Sequence, residues 1–250
     1  MRDAPPLLLL HGAWHSSAAW DPIAKPLREQ GYEVHTPDLP GHGADPLPLQ
    51  KLNFKRYVSA ISATLEQLRA PALVVGHSMA GAILAQCSSD SPQRIREAIY
   101  LCAYLPCDGE SVFDLMADER SHGAPLPIEA ALRMSEDKRS CTISDCDAAA
   151  LFYADANTEL RSQAVAALQA QATLPLAGKV QLNKASFDTV QRTYICCTQD
   201  RVIPIQQQRR MLQRHSGTDL LQFEWGHSPF LSHSRPLIDL LVGFLEAPRG

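Results

Sequence analysis

The stretch LVVGHSMAG, residues 73–81, decides the fold of this chain. Three apolar residues run into a serine with small neighbours, and a helical pattern of small residues follows at 82–85. This order predicts a strand, a tight turn with Ser78 at its apex, and a helix. Such a turn requires small residues two positions before and after the serine, and Gly76 and Ala80 meet that requirement. The usual G-x-S-x-G pattern has a second glycine where this chain has Ala80.

Ser78 is a candidate nucleophile because of this turn. The turn raises the serine hydroxyl above the carboxyl edge of a parallel sheet, and it leaves the amide of Met79 at a helix N-terminus, where it can stabilise an oxyanion. A serine in a chance match to the pattern usually has no function. The strand before it and the helix after it favour the catalytic interpretation.

Size and charge limit the classes of function. A chain of 250 residues is long enough for one α/β domain with an insertion. The net charge of −4 and the sequence pI of about 6.1 argue against nucleic-acid binding. The apolar run at 7–10 is too short for a signal peptide, and no stretch approaches the length of a membrane span. These features predict no membrane association and a cytoplasmic location.

The chain has seven cysteines, without C-x-x-C spacing. Four of them lie in apolar helix or strand patterns and are expected to be buried free thiols: Cys87, Cys102, Cys196 and Cys197. Whether Cys141 and Cys146 form a disulfide is open at this stage. The set is typical of a reducing compartment.

Apolar runs alternate with helical patterns, which predicts a parallel sheet with helices on both faces. The predicted strands are residues 7–10, 32–35, 72–75, 99–102, 193–197 and 220–225. The predicted helices are residues 17–30, 54–69, the segment after Ser78 to about 89, 205–215 and 234–246. The expected core therefore comprises residues 1–106 and 185–250.

Residues 107–184 lose the strand pattern and are predicted to form a helical cap inserted into the core. Prolines at 125, 127 and 175 are expected to interrupt its helices. Residues 148–172 are the most strongly helical part.

A serine nucleophile needs a base, and the base needs an acid that orients it. In this fold class the order along the chain is serine, acid, histidine, with each group after a strand. Asp200 follows the strand at 193–197 and is the candidate acid. Its alternative role is a loop aspartate paired with Arg201, and Asp108 and Asp114 are the substitute candidates.

His227 follows the last predicted strand and is the candidate base. Gly226 before it is expected to let the loop turn the imidazole inward. His77 is expected to support the turn beside Ser78. The other histidines considered are expected to be structural or solvated: His35, His42, His122, His215 and His233. The second oxyanion donor is expected in the loop HGAWH (residues 11–15), where Gly12 permits close approach and the Ala13 amide can face Met79.

Five segments together resemble the α/β-hydrolase superfamily: HGAWH (11–15), DLPGHG (38–43), GHSMAG (76–81), CCTQDRVIP (196–204) and the late Gly-His (226–227). More closely, they resemble the plant methylesterase and hydroxynitrile lyase family with its bacterial esterase relatives. The resemblance runs from about residue 7 to 245 and is weakest in the cap. It implies a six-stranded core with a small helical cap, no metal or organic cofactor, and Ser78, Asp200 and His227 acting on an ester.

Two departures from that family favour hydrolysis over cyanohydrin cleavage. The lyases it contains carry a threonine where this chain has Gly12, and a lysine where it has Ser228. Epoxide and haloalkane hydrolases of the superfamily carry an aspartate where this chain has Ser78. A serine carboxylesterase is therefore the predicted function. A lyase or acyltransferase on the same triad, or a ligand-binding receptor with slow turnover, stays open as an alternative.

The expected substrate is a small-molecule ester, bound in an apolar pocket under the cap. Gly12 is expected beside the substrate and Trp14 near the pocket entrance. The candidate lining residues in the cap are Phe113, Leu115, Met116, Phe152, Tyr153 and Leu174. For any one of these the competing role is to pack the cap onto the core. A homodimer formed through the cap is a further open expectation.

Overall fold

The structure is a computed structural model that describes residues 2–45, 47–123 and 126–248. Pro125, which is predicted to interrupt a helix, lies outside the described residues. The strands are β1 Leu7–Leu10, β2 Val34–His35, β3 Ala72–His77, β4 Ile95–Leu101, β5 Leu132–Met134, β6 Ser140–Ile143, β7 Gln171–Ala172, β8 Gln191–Cys197 and β9 Thr218–Phe223. The helices are α1 Asp21–Glu29, α2 Phe54–Gln67, α3 Ala80–Asp90, α4 Val112–His122, α5 Pro127–Ala131, α6 Asp145–Phe152, α7 Thr158–Ala166, α8 Leu174–Ala177, α9 Lys184–Phe187, α10 Ile205–Gln213, α11 Pro229–Ser232 and α12 Ser234–Glu246. Short 3-10 turns lie at Ser17–Trp20, Leu49–Lys51 and Pro92–Arg94.

Six strands form one parallel sheet in the order β2-β1-β3-β4-β8-β9. Side chains alternate between its faces, so Leu7 and Leu9 pack with α1 and α12, whereas Leu8 and Leu10 pack with α2 and α3. Burial on both faces explains why the strands are almost continuously apolar. The predicted α/β fold, a six-stranded sheet flanked by helices, is confirmed.

Strand β4 begins four residues earlier than predicted. Glu97 interrupts the apolar pattern of this strand, yet it is buried, and its carboxylate accepts a hydrogen bond of 2.8 Å from the Thr193 hydroxyl on β8. Burial raises the pKa of Glu97. A polar residue that is paired across two strands is indistinguishable, in sequence, from the end of a strand.

The segment between β4 and β8 contains helices, as predicted, and also a small sheet that was not predicted. Strands β5, β6 and β7 form an antiparallel sheet of three strands. Residues 148–172, predicted to be strongly helical, are helical only in part: α6 ends at Phe152, α7 begins after Asn157, and the segment ends as β7. The side chain of Asn157 accepts a hydrogen bond from the Leu160 amide and so starts a new helix. Strands of two to four residues are too short to show a period-2 pattern.

All seven cysteines are free thiols. Cys141 is buried and Cys146 is exposed, so the two do not form a disulfide. The predicted burial of Cys87, Cys102, Cys196 and Cys197 is confirmed. Among the helices of the described residues, none combines the length and the apolar character that a membrane crossing requires.

Candidate active site

Ser78 occupies the tight turn between β3 and α3. Its φ angle is 54°, in the left-handed region that residues other than glycine rarely adopt. A Cβ atom on Gly76 would lie 3.0 Å from the Ala80 carbonyl oxygen, and one on Gly81 would overlap the carbonyl of Tyr104. There is therefore no free space for a side chain at Gly76 or at Gly81, and the clash would be more severe at Gly81.

The structure brings the three triad candidates together in the order that acyl transfer requires. The Ser78 Oγ lies 3.2 Å from His227 Nε2, and His227 Nδ1 lies 2.8 Å from Asp200 Oδ2. The other carboxylate oxygen of Asp200 accepts hydrogen bonds from the amides of Val202 (2.7 Å) and Ile203 (3.0 Å). The exposed fractions are 6% for Ser78, 6% for Asp200 and 2% for His227, so all three side chains are almost completely buried.

Arg201 and the two substitute acids have partners other than the triad candidates. Arg201 is exposed and directs its guanidinium toward the Ala150 carbonyl, not toward Asp200. Asp114 lies in the first turn of α4 and forms a capping box with Ser111, in which its carboxylate accepts hydrogen bonds from Ser111. Asp108 accepts a hydrogen bond from the Leu182 amide. Neither substitute acid lies on His227.

Two groups fix the backbone of His227. Its carbonyl oxygen accepts hydrogen bonds from His77 Nε2 at 2.8 Å and from the Cys102 thiol at 3.3 Å. Burial, with the nearby His227, lowers the pKa of His77 well below its usual value, so His77 is neutral. His77, which is expected to support the turn beside Ser78, thus also holds the loop that carries His227.

Gly226 is a glycine for a different reason from the one expected. Its φ angle is not in the left-handed region. Instead, a Cβ atom here would lie 2.7 Å from the carboxylate of Asp155, whose Oδ2 accepts a hydrogen bond of 2.8 Å from the Gly226 amide. The cap therefore contacts the loop that carries His227, and Asp155 was not identified from the sequence.

The only cluster of potential metal ligands found in the described residues is His77, Cys102 and His227, whose ligand atoms lie within 4.8 Å of one another. These groups do not fit a metal ion. The hydrogen atoms of His77 Nε2 and Cys102 Sγ are already donated to a carbonyl, and both ring nitrogens of His227 face Asp200 and Ser78.

The loop after β1 approaches Ser78 closely. A Cβ atom on Gly12 would lie 2.9 Å from Ser78 Cβ. His11 Nδ1 donates a hydrogen bond of 2.9 Å to the Gly12 carbonyl, and because the peptide unit is planar and trans, the Ala13 N–H points the opposite way. Within the described chain, neither the Ala13 amide nor the Met79 amide donates a backbone hydrogen bond. Both amides are available as oxyanion donors.

The aromatic candidates Trp14, Phe152 and Tyr153 lie deep in the structure. Trp14, which is expected near the pocket entrance, is 7% exposed. Its indole stacks on Phe152 with ring centres 5.7 Å apart and donates a hydrogen bond to the Cys141 carbonyl. Phe152 also lies 5.8 Å from the His227 ring. These rings cover His227 on the cap side.

The candidates on α4 and α8 are placed differently. Leu115 and Met116 are buried, and Phe113 is partly buried against the same core cluster. No ring contact or hydrogen bond of the described residues joins them to the triad. Leu174 is 47% exposed and lines an outer cleft with Phe54 of α2, so its expected position in the pocket is wrong.

Sequence reasoning missed several residues that build the site. Gln208 on α10 donates its amide hydrogens to the carbonyls of Cys197 and Ile203 and accepts from the Cys197 amide, which holds the loop that carries Asp200. His42, which is expected to be structural, is buried, and its Nε2 lies 3.1 Å from the Tyr57 hydroxyl. A glutamine at helical spacing has no sequence signal that would distinguish it from a surface residue.

The fold and the triad geometry agree with the comparisons to known proteins. The sequence profile of the alpha/beta hydrolase family matches residues 7–240, and the chain therefore belongs to the α/β-hydrolase family. A pyrethroid hydrolase of Sphingobium wenxiniae is 26% identical over 248 residues, which cover 97% of this chain and 88% of that protein. A putative chloroplastic methylesterase 11 of Arabidopsis thaliana is 24% identical over 243 residues, or 94% of this chain, and this chain spans 62% of its length.

Among solved structures, a pyrethroid hydrolase from Sphingobium faniae JZ-2 superimposes with a TM-score of 0.86 at 24% identity, over 98% of each chain. The predicted resemblance to methylesterases and bacterial esterases is thus confirmed.

Proposed function

We propose that this chain is a serine hydrolase that cleaves carboxylic esters of small molecules. The observation that carries the proposal is the buried array of Ser78, His227 and Asp200, with contacts of 3.2 Å and 2.8 Å at an elbow where the serine is strained. Relatives named as a hydrolase and as a methylesterase support it.

In the first step His227 Nε2 accepts the Ser78 proton while the serine oxygen bonds to the ester carbonyl carbon. The carbonyl oxygen becomes an oxyanion held by the Ala13 and Met79 amides. Loss of an oxyanion donor of this kind slows an enzyme about 100-fold to 1000-fold. The tetrahedral intermediate then collapses, and the leaving alcohol takes the proton from His227.

In the second step water replaces the alcohol. His227 removes a proton from water, whose oxygen attacks the acyl-enzyme, and then returns the proton to Ser78 as the acid is released. Asp200 accepts the Nδ1–H of His227 throughout. It holds the tautomer in which Nε2 can act as the base, and it stabilises the imidazolium.

Two structural facts favour hydrolysis over cyanohydrin cleavage. A side chain at Gly12 would collide with Ser78, so the hydroxyl that the resembling lyases place here has no room. Ser228, in place of their lysine, is buried, and its hydroxyl has no hydrogen-bond partner in the described residues. It therefore provides no cation for a cyanide ion.

The aromatic cover over His227 supports a small apolar or aromatic ester as the substrate.

We also propose a homodimer formed through the cap. Of four large apolar side chains exposed in the described residues, three lie in the cap: Met134, Leu160 and Leu174. Sedimentation velocity tests this assembly. The free thiols support a cytoplasmic location, which cell fractionation tests.

The test is hydrolysis of p-nitrophenyl esters from acetate to octanoate by the wild type and by Ser78→Ala. The matched control is Ser162→Ala on α7, which removes an exposed serine hydroxyl from the cap. We expect turnover by the wild type and the control, and none above background with Ser78→Ala. Full activity of Ser78→Ala would refute the mechanism. A single burst of one equivalent without turnover would favour the receptor alternative.

A further inference from the structure

The loop that carries the Ala13 amide is held partly by its own histidines and partly, through Trp14, by the cap. The peptide unit between Ala13 and Trp14 shows this, because both of its polar groups are bound. The Ala13 carbonyl accepts a hydrogen bond of 2.8 Å from His15 Nδ1, and the Trp14 N–H donates one of 3.3 Å to the side-chain oxygen of Gln171 on β7. The plane of this peptide is thereby fixed from both sides.

The side chain of His15 is itself held by a residue of the cap. The hydroxyl of Tyr153, which follows α6, lies 2.8 Å from His15 Nε2, and both side chains are buried. Burial lowers the pKa of His15 to about 4 and raises that of Tyr153, so both are neutral near pH 7. Since His15 Nδ1 carries its proton toward the Ala13 carbonyl, Nε2 is an acceptor and the tyrosine is the donor. A directed chain therefore runs from Tyr153 through His15 to Ala13.

The side chain of Gln171 is also fully hydrogen-bonded. It is fully buried, and its side-chain nitrogen donates to the Ala172 carbonyl at 2.8 Å and to the Tyr57 hydroxyl at 3.3 Å. With both donors used, the side-chain oxygen is the atom that faces Trp14.

Two more cap groups bind Trp14. The Gln169 amide donates to its carbonyl at 2.8 Å, and its indole donates to the Cys141 carbonyl at 3.2 Å. These contacts hold Trp14 at a φ angle of 63°, which a non-glycine residue adopts only when its surroundings impose it.

We propose that Tyr153 and Gln171 are positioning residues that orient the oxyanion loop, so that the cap completes the oxyanion hole as well as covering the substrate. Neither residue touches the reacting atoms. Each acts on the Ala13–Trp14 peptide, and a rotation of that peptide turns the neighbouring Ala13 N–H away from the oxyanion. This inference rests on the proposed function.

The test compares Tyr153→Phe and Gln171→Met with two matched controls. Tyr32→Phe removes a tyrosine hydroxyl that donates to Glu246, and Gln163→Met replaces an exposed glutamine of the cap. With the best p-nitrophenyl ester, we expect kcat to fall between about 10-fold and about 100-fold in the two positioning variants, since small displacements of catalytic groups have effects of this size. We expect KM to stay within about twofold, because ground-state contacts are retained. Both controls should match the wild type.

A pair of inhibitors separates positioning from a general structural effect. An aryl trifluoromethyl ketone forms a bond between its carbonyl carbon and the Ser78 oxygen, the serine proton passes to His227, and the carbonyl oxygen becomes an oxyanion. The matching methyl ketone binds without this addition. We expect the affinity for the trifluoromethyl ketone to fall by the same factor as kcat/KM, and the affinity for the methyl ketone to stay unchanged. An equal loss for both ketones, or no loss for either, would overturn the inference.

The outcome is separable from that of the proposed function. If the wild type hydrolyses esters and both positioning variants behave like the controls, the inference is wrong and the function stands. If the wild type binds the trifluoromethyl ketone through Ser78 but hydrolyses no ester, the function is wrong, and the two ketone affinities still decide the inference. Should Gln171→Met fail to fold by circular dichroism, Tyr153→Phe decides alone, since it retains the ring.

Discussion

Replacing Asp200 by asparagine tests the role of the acid with little change in shape. The carboxylate oxygen Oδ1 accepts two backbone hydrogen bonds, from Val202 and Ile203, and the amide oxygen of asparagine can keep both. The amide nitrogen then takes the place of Oδ2, which lies 2.8 Å from His227 Nδ1. Two donors cannot share that contact, so His227 must move its proton to Nε2. In that tautomer it cannot accept the proton of Ser78.

The expected loss of activity is large, whereas the loss of stability is small. A wrong tautomer of the catalytic histidine lowers kcat about ten-thousandfold in serine proteases. At about 1.4 kcal/mol per factor of ten, this equals about 5 kcal/mol of transition-state stabilisation. In the folded protein the charged hydrogen bond between residue 200 and His227 becomes a neutral one, and the two backbone hydrogen bonds are kept. The free energy of unfolding should therefore fall by about 1 to 3 kcal/mol.

The assay is steady-state hydrolysis of p-nitrophenyl acetate, with urea unfolding followed by circular dichroism on the same preparations. Asp219→Asn is the matched control, because Asp219 is an exposed aspartate on β9. We expect the control to retain wild-type activity. If Asp200→Asn keeps more than about a tenth of the wild-type kcat while remaining folded, the tautomer argument is wrong. Another group would then have to orient His227.

Three further predictions follow from close contacts and exposure. Gly12→Ala places a methyl group 2.9 Å from Ser78 Cβ, so kcat/KM should fall about 10-fold or more in the ester assay. Gly81→Ala forces a methyl group into the Tyr104 carbonyl. We therefore expect the free energy of unfolding to fall by about 1 to 3 kcal/mol and the melting temperature, measured by calorimetry, to fall by several degrees. Cys146 is the one exposed cysteine, so a native thiol titration should show a single fast-reacting group, and the fast phase should disappear in Cys146→Ser.

The parts of the fold that follow from sequence are those written in local patterns. The β3–α3 turn is recognisable because small residues at fixed spacing around Ser78 reflect a steric requirement within nine residues of chain. The positions of Asp200 and His227 follow from a second regularity, that chemistry in parallel α/β sheets gathers at the carboxyl ends of strands. The start of β4 was missed because Glu97 is buried through a partner 96 residues away, and no local pattern reports such a pairing.

The same reasoning explains why the cap was the least predictable part. Gln171 lies in a stretch of alternating alanines and glutamines that favours a helix, yet it forms part of β7 because it pairs with Cys141 on β6 and bonds to Trp14, 157 residues earlier. Its type is also uninformative, since glutamine is common on exposed helix surfaces. Only the tertiary structure shows that its side chain is fully buried and committed on both its oxygen and its nitrogen. A sequence motif therefore cannot identify a residue that acts through a hydrogen bond to a distant part of the backbone. This holds even when the residue that it positions belongs to a motif.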